Sequence, residues 1–459
     1  MEFFVASLLS VVLCGWAATP AREPNIIFIL ADDLGYGDVG CYGQKKIRTP
    51  NIDRLAEQGT RFTQFYAGCT VCAPTRSVLM TGQHTGHTWV RGNSSAVAGR
   101  VPLRPEDVTV AELLKKAGYT TGVVGKWGLG EPDTTGIPNR QGFDFWFGYL
   151  NQAHAHSYYP DYLWKNQERY PIDENRNGRR KVWSHDLMTR EALAFVERSK
   201  DGPFFLYLAY TIPHGRYEIP SDEPYSREDW PQVGKNYAAM ITRMDRDIGA
   251  LMELLRKLGI DANTLVFFSS DNGPETGGGI DPEFFDSNGP LRGKKRDLYE
   301  GGIRVPMIVR WPGKVKAGAV SDAVWAMWDF LPTVAELVGV RPPENIDGIS
   351  MLPLLLGREP KEHEFLYWEF HEGGFAQAVR MGDWKAVRKN RGRLELYDLK
   401  QDPGEQRDVA DANPAVLAKI EDYLRIARTD SPNWPVGNAG ERSKNPAERK
   451  ERRPPVARG

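Results

Sequence analysis

Residues 25–33 read NIIFILADD, and in this stretch an apolar run ends abruptly at two carboxylates, Asp32 and Asp33. A short apolar run without alternation is typical of a strand that is buried on both faces of a parallel sheet. Residues 204–209 (FFLYLA) and 264–272 (TLVFFSSDN) follow the same order, each leading into polar side chains. These segments predict the centre of one sheet, with polar groups collected at its carboxyl edge.

Segments with helical spacing lie between these strands. Residues 51–58, 108–117 and 237–258 carry apolar side chains at helical intervals, and a glycine follows each of them. A glycine after the last periodic residue is a signal for the end of a helix. Alternating strands and helices predict an α/β fold, a large doubly wound mixed sheet flanked by helices. In such sheets ligands bind outside the carboxyl ends of the strands.

The pattern changes after about residue 360. Short strand-like segments separated by turn residues occupy residues 364–369, 376–381, 384–388 and 394–399, and residues 413–427 have helical spacing. Four consecutive strands and one helix predict a smaller antiparallel α+β domain. We therefore predict a large α/β domain over residues 21–360, a C-terminal domain over residues 361–429 and a flexible tail over residues 430–459.

The overall composition is that of a folded soluble protein. Of 459 residues, 41% are hydrophobic and 26% are charged, so the chain can bury a large core. Lys and Arg number 59 against 60 Asp and Glu, a formal net charge of -1. Because the net charge is close to zero, there is no overall electrostatic attraction to nucleic acid or to an anionic membrane, and any binding of anions has to depend on local basic residues.

The amino terminus has the pattern of a secretory signal. Residues 3–18 are apolar and end in small residues just before Thr19 and Pro20, although no Lys or Arg precedes them. The alternative is a buried first strand or helix. We predict a signal peptide over residues 1–20 and export to the periplasm or the cell exterior. The run is shorter than the roughly 20 residues of a membrane span, so we expect no membrane anchor in the mature chain.

Two oxygen-rich pairs follow buried strands, Asp32 with Asp33 and Asp271 with Asn272. Carboxylates that share one sheet edge repel each other unless a cation offsets them. Oxygen ligands without cysteine or histidine suit a hard ion, and a cage supplied mostly by protein favours calcium over magnesium. The alternative is that acidic residues form turns after strands. We predict one Ca²⁺ per chain.

A cysteine and several basic residues occupy comparable positions. Cys72 begins the segment CAPTRSVLMTG, which also contains Arg76, while Lys126 and His214 follow predicted strands and Lys295 precedes a glycine-rich turn. A free cysteine is most often a small buried apolar residue, and a lone lysine or arginine is usually a solvated charge. Their common placement favours convergent cations that hold a tetrahedral anion.

These segments, taken together and in order, resemble the type I, formylglycine-dependent sulfatases of the alkaline-phosphatase-like superfamily. The resemblance covers about residues 23–425 and lies in Cys72-Ala73-Pro74-Thr75-Arg76, Ala31-Asp32-Asp33-Leu34-Gly35, Gly125-Lys126-Trp127, Asp271-Asn272-Gly273 and Leu298-Tyr299-Glu300-Gly301-Gly302. It implies hydrolysis of sulfate monoesters of a carbohydrate or aryl alcohol. Each segment is weak evidence alone, but the ordered set is specific.

The resemblance also implies roles for single residues. A separate formylglycine-generating enzyme would oxidise Cys72 to 3-oxoalanine (formylglycine), whose hydrate attacks sulfur, and Arg76 would hold that residue. Asp32, Asp33, Asp271 and Asn272 would bind calcium. Lys126, His214 and Lys295 would bind the sulfate, and His214 or Lys295 would protonate the departing alcohol.

The sequence departs from the family pattern at two positions. Gly128 follows Gly125-Lys126-Trp127 where many relatives have a histidine, and Lys294 precedes Lys295 where relatives have glycine. Lys295, four residues before Tyr299, is the lysine that we assign to the site. Of the cysteines that would remain after loss of Cys14, Cys41 and Cys69 could pair, although nothing in the sequence shows that they meet.

Residues 81–93 and 151–159 are histidine–aromatic loops that suit the hydroxyls and rings of a sugar. Their candidate substrate-binding residues are His84, His87, Arg91, His154 and His156. Packing at the rim of the fold is the alternative. Two other functions stay open: a phosphonate monoester or phosphodiester hydrolase of the same superfamily, and a catalytically silent protein that binds sulfated glycans.

Overall fold

A computed structural model describes residues 23–390 and 392–436. The predicted signal peptide, with Cys14, and residues 437–459 of the predicted tail lie outside the described residues. Among the helices that are described, none is long and apolar enough to cross a membrane.

The larger domain is built on one mixed sheet, which has ten strands within the described residues. The strands are β1 (Asn25–Asp32), β2 (Thr60–Tyr66), β3 (Thr120–Lys126), β4 (Phe145–Tyr149), β5 (Tyr162–Lys165), β6 (Glu168–Pro171), β7 (Phe204–Pro213), β8 (Thr264–Ser270), β9 (Met307–Arg310) and β10 (Ala319–Ala326). Their order is β10-β2-β9-β8-β1-β7-β3-β4-β5-β6. The central pairs β8/β1, β1/β7, β7/β3 and β3/β4 are parallel. Strand β9 and the last two strands at one end of the sheet, β5 and β6, run antiparallel to their neighbours.

Helices cover both faces of this sheet, as the sequence predicts. They are α1 (Pro50–Glu57), α2 (Cys72–Thr81), α3 (Val110–Lys116), α4 (Gln152–Ala155), α5 (Ser184–Ser199), α6 (Gln232–Lys257), α7 (Pro282–Phe285), α8 (Glu300–Ile303), α9 (Phe330–Leu337) and α10 (Leu352–Leu355). Side chains of α2, α3 and α9 pack in one core, and those of α1, α5 and α6 pack in the other. The fold is therefore a doubly wound α/β sheet.

Strand β1 shows why its sequence is apolar without alternation. Ile26, Phe28 and Leu30 enter the first core, while Ile27 and Ile29 enter the second. All five side chains are at most 1% exposed. Burying an apolar side chain of this size contributes about 1.5–3 kcal/mol, so both faces of the strand stabilise the fold.

The smaller domain is an antiparallel sheet with one helix against it. Its elements are β11 (Leu366–Phe370), β12 (Ala376–Met381), β13 (Trp384–Lys389), β14 (Glu395–Asp398) and α11 (Pro414–Leu424). One face of the sheet packs with α11 and the other packs into the first core of the large domain. The side chain of Lys385 lies fully buried at this junction, 2.8 Å from Glu300 Oε1 and 3.0 Å from Glu405 Oε1.

One expectation needs correction, and one open question is answered. The first residues of the predicted tail are packed: Trp434 is 2% exposed, and its Nε1 donates a hydrogen bond to the carbonyl of Trp89. The apolar ring of Trp434 finds a partner surface around Gly92, which the local composition does not reveal. Cys41 and Cys69 are free thiols and do not form the disulfide that the sequence left open.

Candidate active site

Four neighbouring strands deliver polar side chains to one edge of the sheet. Asp32 ends β1, Lys126 ends β3, His214 follows β7, and Asp271 follows β8. Because β8, β1, β7 and β3 are adjacent in the sheet, their carboxyl ends bring these residues together. Asp33 continues from Asp32 in a left-handed conformation with a φ of 67°, which turns the chain at this edge.

Cys72 reaches the same place as the first residue of α2, a helix whose residues are all buried. The hydroxyl of Thr75 accepts a hydrogen bond from the Cys69 N–H, and Asn93 Oδ1 accepts one from the Ala73 N–H. These bonds fix the start of the helix. The Cys72 Sγ lies 3.6 Å from Asp32 Oδ1. The partial positive charge at this helix end also favours an anion beside Cys72.

Three basic side chains contact the acidic pairs directly. Lys126 Nζ lies 2.7 Å from Asp32 Oδ2, and Lys295 Nζ lies 2.7 Å from Asp33 Oδ2. Arg76 Nη2 lies 2.9 Å from an Asp271 oxygen and 3.4 Å from Asp32 Oδ2. Its Nη1 donates to the carbonyl oxygen of Lys126. The structure therefore brings these cations and carboxylates into one buried cluster.

His214 joins this cluster through one ring nitrogen. Its Nδ1 lies 2.9 Å from the carbonyl oxygen of Gly215, so Nδ1 carries the proton and donates. Its Nε2 faces the site and lies 3.5 Å from Asp33 Oδ2. The hydroxyl of Tyr158 donates to the carbonyl of His214 and holds this segment in place. Burial lowers the pKa of His214 to about 4.

The charges of the cluster oppose the effect of burial on the pKa of Asp32 and add to it at Asp271. Burial favours a neutral Asp32, but the Lys126 charge and its neighbours hold the pKa of Asp32 well below its usual value. Burial and the charge of Asp32 raise the pKa of Asp271. Burial also raises the pKa of the Cys72 thiol to about 12, which leaves it neutral at neutral pH. An unmodified Cys72 is therefore a weak nucleophile.

The donor set suits a hard divalent cation. Asn272 Nδ2 donates to Asp33 Oδ1, while Asn272 Oδ1 is buried with no hydrogen-bond partner among the described residues. Oxygen and nitrogen atoms of Asp32, Asp33 and His214 come within 4.8 Å of one another and of the Cys72 sulfur. A buried amide oxygen without a donor costs free energy that a cation would recover. Asp32, Asp33 and Asn272, three of the residues predicted to bind calcium, therefore fit such an ion.

The side chain of Gln152 fills the space beside Gly128, the position at which the sequence departs from the expected family pattern. Gly128 has a φ of 83°, and a Cβ atom built there would lie 2.6 Å from Gln152 Nε2. Gln152 is 9% exposed. A histidine at position 128 would therefore have to displace Gln152.

The two histidines of the 151–159 loop have different surroundings. His156 is exposed, and its ring stacks on that of His214 with centroids 4.7 Å apart. His154 packs between Tyr149 and Tyr162. The structure thus places His156 at the entrance to the site, whereas His154 contributes to packing.

The residues predicted from the 81–93 loop have other partners. His87 Nδ1 lies 2.8 Å from Asp347 Oδ1, and the ring of His84 stacks on that of His87. Arg91 is 2% exposed and pairs with Glu369 of the small domain at 3.0 Å. Because its guanidinium is buried and paired, Arg91 joins the two domains, and this placement does not support a contact with substrate.

One residue beside the site was not identified from the sequence. Glu275 Oε2 lies 3.3 Å from Lys295 Nζ, and its other oxygen accepts hydrogen bonds from the Thr276 and Gly277 amides. Its position three residues after Asn272, at the start of a glycine-rich loop, is the signal that could have found it.

A doubly wound sheet with a buried acidic cluster, a cysteine at a helix start and convergent cations defines a hydrolase of the alkaline-phosphatase-like superfamily. The family model described as Sulfatase matches residues 24–340, and one described as N-sulphoglucosamine sulphohydrolase, C-terminal, matches residues 293–429. The chain belongs to the sulfatase family and is a sulfuric ester hydrolase, which confirms the resemblance found in the sequence.

Individual relatives agree with this assignment. The chain is 34% identical over 409 residues to the N-acetylgalactosamine-6-sulfatase of Canis lupus familiaris, covering 83% of this chain and 74% of the relative. It is 34% identical over 477 residues to the arylsulfatase A of Homo sapiens, covering 90% and 89%. A crystal structure of Ps i-CgsB with k-i-k-neocarrahexaose superposes with a TM-score of 0.79 at 33% identity, covering 88% of this chain and 93% of the other.

Proposed function

We propose that this chain is an exported, calcium-dependent sulfatase that hydrolyses sulfate monoesters of carbohydrates or aryl alcohols through formylglycine derived from Cys72. The observation that carries this proposal is the position of Cys72, at the start of α2 and 3.6 Å from Asp32, inside a cluster of cations and calcium-type ligands. Relatives named for N-acetylgalactosamine sulfates and a neighbour bound to a neocarrahexaose support a sulfated carbohydrate as substrate.

Conversion of Cys72 to formylglycine would replace a thiol that is unreactive at this position. A buried thiol whose pKa is about 12 is a poor nucleophile. One hydroxyl of the hydrated aldehyde would attack sulfur. Loss of a proton from the second hydroxyl would then release sulfate and restore the aldehyde. Serine has no second hydroxyl and cannot release sulfate in this way. Calcium held by Asp32, Asp33, Asp271 and Asn272 would supply positive charge to the nucleophile and the sulfate.

The remaining side chains have roles that follow from their contacts. Lys126 and Lys295, each 2.7 Å from a carboxylate, are fixed cations for the sulfate oxygens. Arg76 donates hydrogen bonds to Asp271 and to the Lys126 carbonyl, so it would fix these residues beside Cys72. His214 presents Nε2 to the site, where a bound anion would favour its protonated form and so allow it, or Lys295, to protonate the departing alcohol.

The test is to purify the protein after expression with a formylglycine-generating enzyme and to measure the mass of the peptide that contains Cys72. We expect that peptide to be lighter by the change from thiol to aldehyde, and we expect Cys72→Ala to abolish turnover of 4-nitrophenyl sulfate. Full activity with an unmodified Cys72 would contradict the proposal. Amino-terminal sequencing of exported protein would test removal of residues 1–20.

Matched substrates separate the alternatives. Steady-state rates on 4-nitrophenyl sulfate, 4-nitrophenyl phosphate and a phosphonate monoester would distinguish a sulfatase from the other hydrolases of the superfamily. A phosphonate monoester hydrolase shares the fold at a TM-score of 0.66 and 21% identity, and this likeness concerns the fold alone. Glycan binding without turnover by protein with an unmodified Cys72 would instead favour the silent binding protein.

A further inference from the structure

Arg296 directly follows Lys295, but the side chains of the two residues point in different directions. Its φ is 76°, in the left-handed region that long side chains rarely adopt. The N–H of Arg296 donates to the carbonyl of Thr70, two residues before Cys72, and the N–H of Lys295 donates to that of Pro274. The result is a buried Lys295 beside Asp33 and an Arg296 side chain that is 49% exposed. Backbone strain of this kind is concentrated at functional sites.

Two carboxylates from different domains flank this guanidinium. Glu275 Oε2 lies 2.7 Å from Arg296 Nη1, and Glu372 Oε2 lies 3.6 Å from Arg296 Nε. Glu275 follows β8 in the large domain, whereas Glu372 follows β11 in the small domain. Both carboxylates keep solvent exposure, 16% for Glu275 and 28% for Glu372. We call Glu275, Arg296 and Glu372 the rim cluster.

The rim cluster is continuous with the proposed sulfate site. Glu275 Oε2 also contacts Lys295 Nζ, at 3.3 Å, and Lys295 contacts Asp33. The charge of Asp33 acts on the Arg296 guanidinium as well. A group attached to a sulfate that Lys295 binds would therefore lie next to the rim cluster.

We propose that the rim cluster binds hydroxyl groups of the sugar unit that carries the sulfate, and that it selects a neutral hexose or N-acetylhexosamine. This inference rests on the proposed sulfatase function. A hydroxyl can donate to Glu372 and accept from Arg296, so these two groups match neighbouring hydroxyls. Glu275, whose oxygens already accept from Lys295, Arg296 and two backbone amides, orients the guanidinium. Glu372 and Glu275 repel a carboxylate or second sulfate on the same sugar, because Lys295 is already engaged by Asp33 and by the bound sulfate and leaves Arg296 as the cation of the rim cluster.

The contrary interpretation is that these three residues only join the two domains. That role predicts equal losses with every substrate when a member is replaced. The recognition role predicts losses only with substrates that offer hydroxyl groups. 4-Nitrophenyl sulfate has no hydroxyl groups beyond the ester, so it separates the two interpretations.

The experiment compares kcat and KM for 4-nitrophenyl sulfate with those for the best substrate in a panel of monosulfated hexoses and N-acetylhexosamines. Arg296→Gly removes the guanidinium and places a residue that accepts the left-handed conformation, so we expect the fold to be kept, which circular dichroism verifies. Glu372→Gln keeps the shape and removes the charge. Arg425→Ala, at a 72% exposed position on the small domain, serves as the control.

We expect Arg296→Gly to lower kcat/KM on the sugar about 10- to 100-fold, mainly through KM, and to change the aryl substrate less than about threefold. Glu372→Gln should reduce the preference for the neutral sugar over glucosamine carrying two sulfates. Equal losses on both substrates, no loss on the sugar, or turnover of the aryl substrate without any sugar of the panel would overturn the inference. Wild-type protein inactive on 4-nitrophenyl sulfate and on the panel would instead overturn the proposed function.

Discussion

Replacing Lys295 by methionine tests the site at the position where the sequence left a choice between two adjacent lysines. In the structure Lys295 is 5% exposed and its Nζ contacts Asp33 and Glu275, whereas Lys294 is exposed. Methionine has a similar volume and no charge. The substitution therefore removes one cation from the proposed sulfate site with little change in packing.

The size of the effect follows from these contacts. Loss of one preorganised donor to a developing negative charge lowers kcat about 10²- to 10³-fold, or about 2.7–4 kcal/mol. Asp33 is 1% exposed, so it also loses a buried partner, which costs about 3–5 kcal/mol of stability when no other cation offsets it. Calcium on Asp33 would reduce that second cost, so we expect a folded protein with a large loss in kcat.

The assay is steady-state hydrolysis of 4-nitrophenyl sulfate, with circular dichroism to verify folding and the peptide mass to verify modification of Cys72. Lys294→Met is the matched control, and we expect its kcat to stay within about twofold of the wild type because exposed substitutions rarely matter. The reasoning would be refuted by a Lys295→Met variant whose kcat is within tenfold of the wild type. An equal loss in Lys294→Met would move the assignment to the neighbouring lysine.

Three further predictions concern the site entrance, the domain junction and the metal. His156→Ala removes the ring stacked on His214 and should raise KM for a sulfated sugar about 2- to 10-fold, with kcat little changed; an unchanged KM would contradict the contact with substrate. In urea unfolding, Lys385→Met should lower the free energy of unfolding by about 3–5 kcal/mol, because its two carboxylate partners are buried. The control is Lys115→Met, which removes the half-exposed ion pair between Lys115 and Asp144 and should lower the free energy of unfolding by less than about 1 kcal/mol. Calcium at about 100 times its Kd should stabilise the protein by about 2.7 kcal/mol, and a melting temperature unchanged by a chelator would contradict the predicted metal site.

The core of the fold could be predicted because its signals are local. The predicted strand at residues 264–269 is β8, and the strand-like segments after residue 360 are β11 to β14, within two residues at each end. The sequence predicts that Lys126 follows a strand, whereas in the structure Gly125 and Lys126 still belong to β3 and pair with Gly148 and Tyr149. No sequence prediction covers β5 and β6 at one end of the sheet, since strands of four residues with polar faces carry little periodic pattern.

Some features of the candidate site could likewise be predicted from the sequence, and others could not. Asp32 and Asp271 were predicted to meet because buried parallel strands deliver their ends to one edge, and the structure brings both into contact with Arg76. Arg91 was a candidate for substrate binding, with packing as the alternative, and the structure buries it against Glu369, 278 positions along the chain. A local pattern shows which residues are polar, but it does not show which partner arrives from another domain.

The sequence by itself determined the α/β class, the order of the sulfatase motifs and the identity of the acidic pairs, because these depend on runs of apolar residues and on what directly follows them. The tertiary structure decided that Lys295 rather than Lys294 faces Asp33, and that the small domain brings Glu372 beside Arg296. The physical reason is that the direction of a side chain depends on backbone turns, such as the left-handed Arg296, and on contacts between segments far apart in the chain.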